Sequence, residues 1–119
     1  MSNTNLAYVF LDGNLTADPE SRDNPTGKSL ATFSVAVNHY SGKGKSDEGE
    51  VSFFEIEAWE KLGENCLEYL KKGSKVTIIG LLRQDRWSGT DGKQRSKVKV
   101  IAQQVRFDFT SRQEKKAAA

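Results

Sequence analysis

At 119 residues the chain supports one domain, and 36% hydrophobic against 29% charged residues suit a small core under a wet surface. Cys66 is the sole cysteine, which excludes an intramolecular disulfide and a cysteine-based zinc cluster, and no apolar run approaches the roughly 18 residues of a membrane span. The net charge of +2 hides an asymmetry: residues 1–70 hold 5 Lys/Arg against 12 Asp/Glu, and residues 71–119 hold 13 against 4. A basic second half points to an anionic partner, with a merely solvated basic face as the alternative.

In chain order, Leu6–Leu15 reads as a first strand closed by a Gly13-Asn14 turn. Asn24-Pro25-Thr26-Gly27 is a loop, since Pro fixes φ and Gly accepts positive φ. Leu30–Asn38 alternates, with Phe33, Val35 and Val37 on one side and Thr32, Ser34 and Asn38 on the other, the period of a half-buried strand. Ser41–Glu50 is a polar loop carrying Lys43 and Lys45, with Tyr40 at its mouth. Val51–Trp59 is a third strand. Glu60–Lys72 reads as the one helix, its apolar stripe formed by Leu62, Cys66, Tyr69 and Leu70, its N-cap poor and its stop at Gly73. Lys75–Trp87 is a fourth strand with a bulge or bend at Gly80, Ser88–Gly92 a hairpin connection, and Arg95–Phe109 the last strand.

Strand parity carries the functional signal. If Phe54, Ile56 and Ala58 face the core, Phe53 and Trp59 share the opposite face with Glu55 and Glu57. If Val76, Ile78 and Leu82 face the core, Arg83, Asp85 and Trp87 lie outside. Lys97 and Lys99 alternate with Val98 and Val100 on the last strand. Aromatic rings interleaved with cations suit a single nucleic-acid strand, whose bases offer π-faces and whose backbone offers phosphates. A slip of one residue would invert every side chain and bury both tryptophans instead.

Other candidates are weaker. Gly27-Lys28-Ser29 and Gly44-Lys45-Ser46 lack the earlier glycine of a phosphate-cradling loop. His39 reads as an ordinary loop residue and Cys66 as a small core residue. Glu55, Glu57 and Asp85 could together hold a divalent metal for phosphodiester hydrolysis, which is the enzymatic alternative. The sequence reads more simply as non-enzymatic, with no metal and no cofactor.

Three strands, a helix, then a long hairpin is the element order of an OB-fold: an all-β, five-stranded Greek-key barrel with its helix between strands 3 and 4. Several ordered motifs resemble the bacterial single-stranded DNA-binding proteins: residues 13–20 (GNLTADPE), Ser52-Phe53-Phe54 leading to Ala58-Trp59-Glu60-Lys61-Leu62, residues 68–74 (EYLKKGS), Gly80-Leu81-Leu82-Arg83 and Arg86-Trp87. The resemblance spans about residues 6–109 and implies one binding domain there, between a disordered N-terminus at 1–5 and a disordered tail at 110–119. It implies base stacking at Tyr40, Phe53, Trp59 and Trp87. Phosphate contacts are implied at Lys61, Lys72 and Arg83, with Arg86 or the Lys97/Lys99 stripe as further contributors. It also implies a homotetramer wrapped by single-stranded DNA, acting in replication, recombination and repair. Primosome-type and RNA-binding relatives are the alternative on the same fold. The start of the chain lacks signal-peptide features, so the expected location is cytoplasmic and nucleoid-associated.

Two departures stand out. Glu55, Glu57 and Asp85 occupy outer-face positions where the resemblance implies aliphatic or basic residues. The sequence ends at Ala119 without the acidic, hydrophobic-tipped tail that the resemblance implies, so tail-mediated recruitment of repair and replication partners is not expected of it.

Overall fold

The computed structural model describes residues 4–39 and 50–108. Residues 1–3, most of the Ser41–Glu50 loop and the tail expected at 110–119 lie outside the described residues. The elements in chain order are β1 (Tyr8–Leu15), β2 (Glu20–Arg22), β3 (Leu30–Asn38), β4 (Val51–Trp59), α1 (Glu60–Tyr69), β5 (Lys75–Ser88) and β6 (Gln94–Asp108). Among the described residues the strands form one mixed six-stranded sheet, ordered β1-β5-β6-β4-β3-β2. β1 also pairs with β3, through Asn14↔Ala36 and Leu15↔Val35. Every pairing is antiparallel except β4 with β6, which run parallel across Ile56↔Val100 and Glu57↔Ile101.

This corrects the expectation of a five-stranded Greek-key OB-fold barrel. The architecture is six strands in a mixed sheet, and the helix falls between β4 and β5. The extra strand is β2, whose three residues are all exposed. It forms because its backbone pairs with β3, through Glu20↔Thr32, Ser21↔Ala31 and Arg22↔Leu30. None of the β2 side chains is buried, so no apolar period announces the strand.

Gly13 is also reassigned. It lies within β1, paired to Val76 of β5, rather than in a turn. A Cβ there would fall on the carbonyl oxygen of Ala36, so the residue must be glycine for β1 to approach β3 while still pairing with β5. Gly80 does what its position suggested: the β5–β6 register shifts between Ile79 and Gly80. The Asn24–Gly27 loop is a turn, closed by Gly27 N–H donating to the Asn24 carbonyl at 3.1 Å.

The helix is shorter than its sequence pattern. It ends at Tyr69, with Leu70 extended, so Lys71 and Lys72 lie beyond its last turn. Its start lacks a side-chain cap at Trp59, as the sequence indicates. Glu60 adopts a φ of 56°, rare outside glycine, and its N–H donates to the Ser29 carbonyl at 2.7 Å. Ser29 Oγ also donates to Glu64 Oε2 at 3.1 Å, so the β2–β3 connection does the work of a cap. The inner faces of the strands meet in one core that includes Val35, Ile56, Val76, Ile78 and Val100, all fully buried. Cys66 is sealed in it, and burial pushes its thiol from 9.0 up to about 11, as suits an inert packing residue.

Candidate nucleic-acid interface

The phase of β4 decides where the aromatics go. Ile56 and Ala58 are fully buried, and Phe54 packs against the core. Alternation then turns Phe53, Glu55, Glu57 and Trp59 outward. Phe53 is 66% exposed and Trp87 47% exposed, while Trp59 is half-buried at the junction with α1. The one-residue slip that would hide these rings is excluded.

β5 and β6 supply the rest of this outer face. Val76 and Ile78 are buried, whereas Leu82, expected in the core with them, is 39% exposed; strand parity still puts Arg83, Asp85 and Trp87 on the opposite face further along β5. Across the hairpin Arg83 pairs with Lys99, Asp85 with Lys97 and Trp87 with Arg95. Arg95 therefore stands directly beside Trp87, tied at 3.0 Å to Asp91 of the connecting turn. The sequence reading left Arg95 out of the site, although its parity with Lys97 and Lys99 was available. Arg86 lies on the other side of the hairpin from Trp87, with its guanidinium 3.3 Å from Gln84 Oε1.

The lysines of this face are not free cations. Lys97 Nζ donates to Glu55 Oε1 at 2.6 Å. Lys99 Nζ contacts both Glu57 Oε2 and Asp85 Oδ2 at 2.9 Å. Burial alone would lower the Lys99 value, but the hydrogen bonds to Glu57 and Asp85 outweigh it and hold the ammonium above 10.5. The three carboxylates considered as a metal site are thus engaged by lysines, and among the described residues no group of His, Cys, Asp and Glu could hold a metal ion. His39 Nε2 lies 2.8 Å from Ser52 Oγ, an ordinary polar contact.

Other expected contacts are dispersed. Lys61 is exposed on the first turn of α1. Lys72 is exposed before β5, its backbone N–H donating to Asp18 Oδ1 at 2.8 Å. The length of β5 separates it from Trp87, on the order of 40 Å at the rise of an extended strand. Tyr40, Lys43 and Lys45 lie outside the described residues. What the structure brings together is Phe53, Trp59, Trp87, Arg83, Lys97 and Lys99, on one outer face of three adjoining strands.

A sequence model of the single-strand binding protein family matches residues 6–108. The chain belongs to that family. The matched span takes in every strand from β1 to β6, so the family region includes the whole aromatic face. The chain is 41% identical over 100 residues to the single-stranded DNA-binding protein of Treponema pallidum (strain Nichols), covering 84% of this chain and 56% of that protein. It is 39% identical over 99 residues to that of Bacillus anthracis, covering 83% and 57%. The Thermus thermophilus protein is 39% identical over 97 residues, covering 82% of this chain and 35% of its own length. The chain therefore spans little more than half of the first two relatives and about a third of the last.

Proposed function

We propose that this chain binds single-stranded DNA without strong sequence preference and protects exposed strands during replication, recombination and repair. Phe53, Trp59 and Trp87 stack bases, and Arg83 and its neighbours on the same face pair with phosphates. Tyr40 stacks a further base, and Lys43, Lys45, Lys61 and Lys72 touch the phosphate backbone, whereas Arg86 lies off this face. Residues 6–109 act as the binding domain, in the cytoplasm beside the nucleoid, without an enzymatic step. The observation that supports this reading is the exposure of two large aromatics, with a third half-open, on one charged outer face. Stacking contributes about 1–3 kcal/mol per base, enough to justify leaving such rings in water.

The assembly we propose is a homotetramer. A second exposed face supports it: Tyr8 is 56% and Phe10 71% exposed, opposite Leu81 and Ile79 of β5. Among the described residues β1 pairs with β3 only at Asn14 and Leu15, leaving the edge from Tyr8 to Asp12 open to another strand.

Intrinsic tryptophan fluorescence titrated with oligo(dT) at several salt concentrations tests the binding, with RNA and duplex DNA as competitors. Quenching that saturates with oligo(dT) and resists duplex is the expected result. Stronger competition by RNA would favour the RNA-binding alternative, and no change at low salt would end the proposal. Sedimentation with and without oligo(dT) reports subunit number and stoichiometry together.

A further inference from the structure

The acidic first half and the basic second half of the chain meet on the outer face. Glu55 and Glu57 come from β4, Lys97 and Lys99 from β6, and Asp85 from β5. Their contacts form two adjacent groups across three strands: Glu55 with Lys97, and Glu57 and Asp85 with Lys99. Each lysine already holds what a phosphate would offer it, an anionic oxygen at hydrogen-bond distance. The carboxylates stand among the aromatics, since Glu55 and Glu57 fall between Phe53 and Trp59 on the same side of β4, and Asp85 is two residues from Trp87.

We propose that Glu55, Glu57 and Asp85 are internal stand-ins for DNA phosphates, which a bound strand must displace before its backbone gains Lys97 and Lys99. This rests on the single-stranded DNA reading above and adds what sets its selectivity. A strand that stacks on Phe53, Trp59 and Trp87 keeps that affinity whether or not the lysines are released. A duplex presents phosphates but no free base faces, so it depends on the cations that the carboxylates occupy. The carboxylates thereby weight the face toward stacking and against polyanions in general.

Two features favour exchange over a purely structural bond. The Lys97–Glu55 pair is open to solvent on both sides, where an ion pair is easily replaced. Glu57 is only partly satisfied, its Oε1 buried without a hydrogen-bond partner among the described residues. A network built for stability alone would pair both oxygens. The face is also close to neutral locally: Lys97 and Lys99 are paired with Glu55, Glu57 and Asp85, and Arg95 with Asp91.

The full chain and its Glu55→Gln, Glu57→Gln and Lys97→Gln variants, with the Glu55→Gln/Lys97→Gln double, are titrated with oligo(dT) and with duplex across a salt series. Each freed lysine should steepen the slope of log K against log salt by up to about 0.7 for the single strand. Affinity at low salt should rise several-fold, more for duplex, so the preference for single strands narrows. Lys97→Gln should weaken binding in the native background, where Glu55 competes for the lysine, by clearly less than in the Glu55→Gln background, where the loss should be several-fold. A stitching role alone would lower the unfolding midpoint of Glu57→Gln and leave every slope unchanged. Unchanged slopes, or equal effects of Lys97→Gln in both backgrounds, overturn the proposal while native binding stands. Because Glu55 is exposed and its variant should fold normally, that arm decides even if Glu57→Gln is unstable. Absence of native binding at low salt would instead remove the single-stranded DNA reading and this inference with it.

Discussion

Along β5, burial changes character at Leu81. From Val76 to Gly80 alternate residues are sealed against the core, whereas from Leu82 to Ser88 every residue is exposed. β6 mirrors the change: residues from Gln94 to Val98 are exposed, Lys99 is intermediate, and Val100 and Ala102 are buried. The hydrogen-bonded ladder runs unbroken through the arm, from Leu82↔Val100 to Ser88↔Gln94. The root of the hairpin therefore holds the fold, and the arm is held by the root. Arm side chains bury almost nothing, so selection there is free to follow the ligand. On the reading proposed above, stability and binding fall on successive stretches of the same two strands.

The largest effect should come from the root. Ile78 is fully buried at the centre of the core. Ile78→Ala should lower the unfolding free energy by about 2–5 kcal/mol through lost burial and a residual cavity. Urea denaturation measures it. Oligo(dT) affinity per folded molecule should be unchanged; a specific loss of affinity would break the division between root and arm.

Trp87 probes the arm. Its truncation to alanine should weaken oligo(dT) binding by about 1–3 kcal/mol, the value of one stacked base. The urea midpoint should barely move, because a substitution at an exposed strand position usually changes stability by no more than about 0.5 kcal/mol. A large stability loss would mean that the ring packs in solution as a structural element.

The two faces of the arm separate next. Arg83 shares its face with Trp87, and Arg86 does not. Arg83→Ala should flatten the salt slope for single-stranded DNA by about 0.7, the share of one phosphate. Arg86→Ala should leave the slope near its native value. Equal effects would mean that the strand wraps both sides of the arm, which would enlarge the site rather than move it.

What could be read from sequence followed from where side chains alternate. β3, β4 and the root of β5 place aliphatic residues at every second position against polar ones, so their phase, and hence the outward direction of Phe53, Trp59 and Trp87, was legible. β2 was not, because Glu20, Ser21 and Arg22 are recruited by backbone pairing alone. Gly13-Asn14 carried a turn signal, but glycine serves close approach as well as turns, and only the position of Ala36 distinguishes them. The helix was overrun to Lys72 because charge and Gly73 mark an end, whereas the chain turns extended at Leu70. The Glu55–Lys97 and Glu57–Lys99 pairs were hidden for a further reason. They depend on a parallel register between β4 and β6 that spans 42 residues of sequence, and local periodicity carries no information about such pairings.

Lys99 marks the boundary between arm and root and should give the smallest effect. Its folded value is raised above 10.5, so the charged form is favoured by folding. The stabilisation is complete at pH values below 10.5, where the unfolded chain also holds that proton. It is lost as pH rises through the higher folded value, when Glu57 and Asp85 face a neutral amine. Comparing urea midpoints of the native chain and Lys99→Met across this range isolates the contribution, since other lysines titrate in both. The gap between them should stay constant at neutral and mildly alkaline pH and change only above 10.5. A gap that changed well below that value would assign the tether to Glu57 or Asp85 rather than to the lysine, and the join between root and arm would then be controlled from β4 and β5 instead of β6.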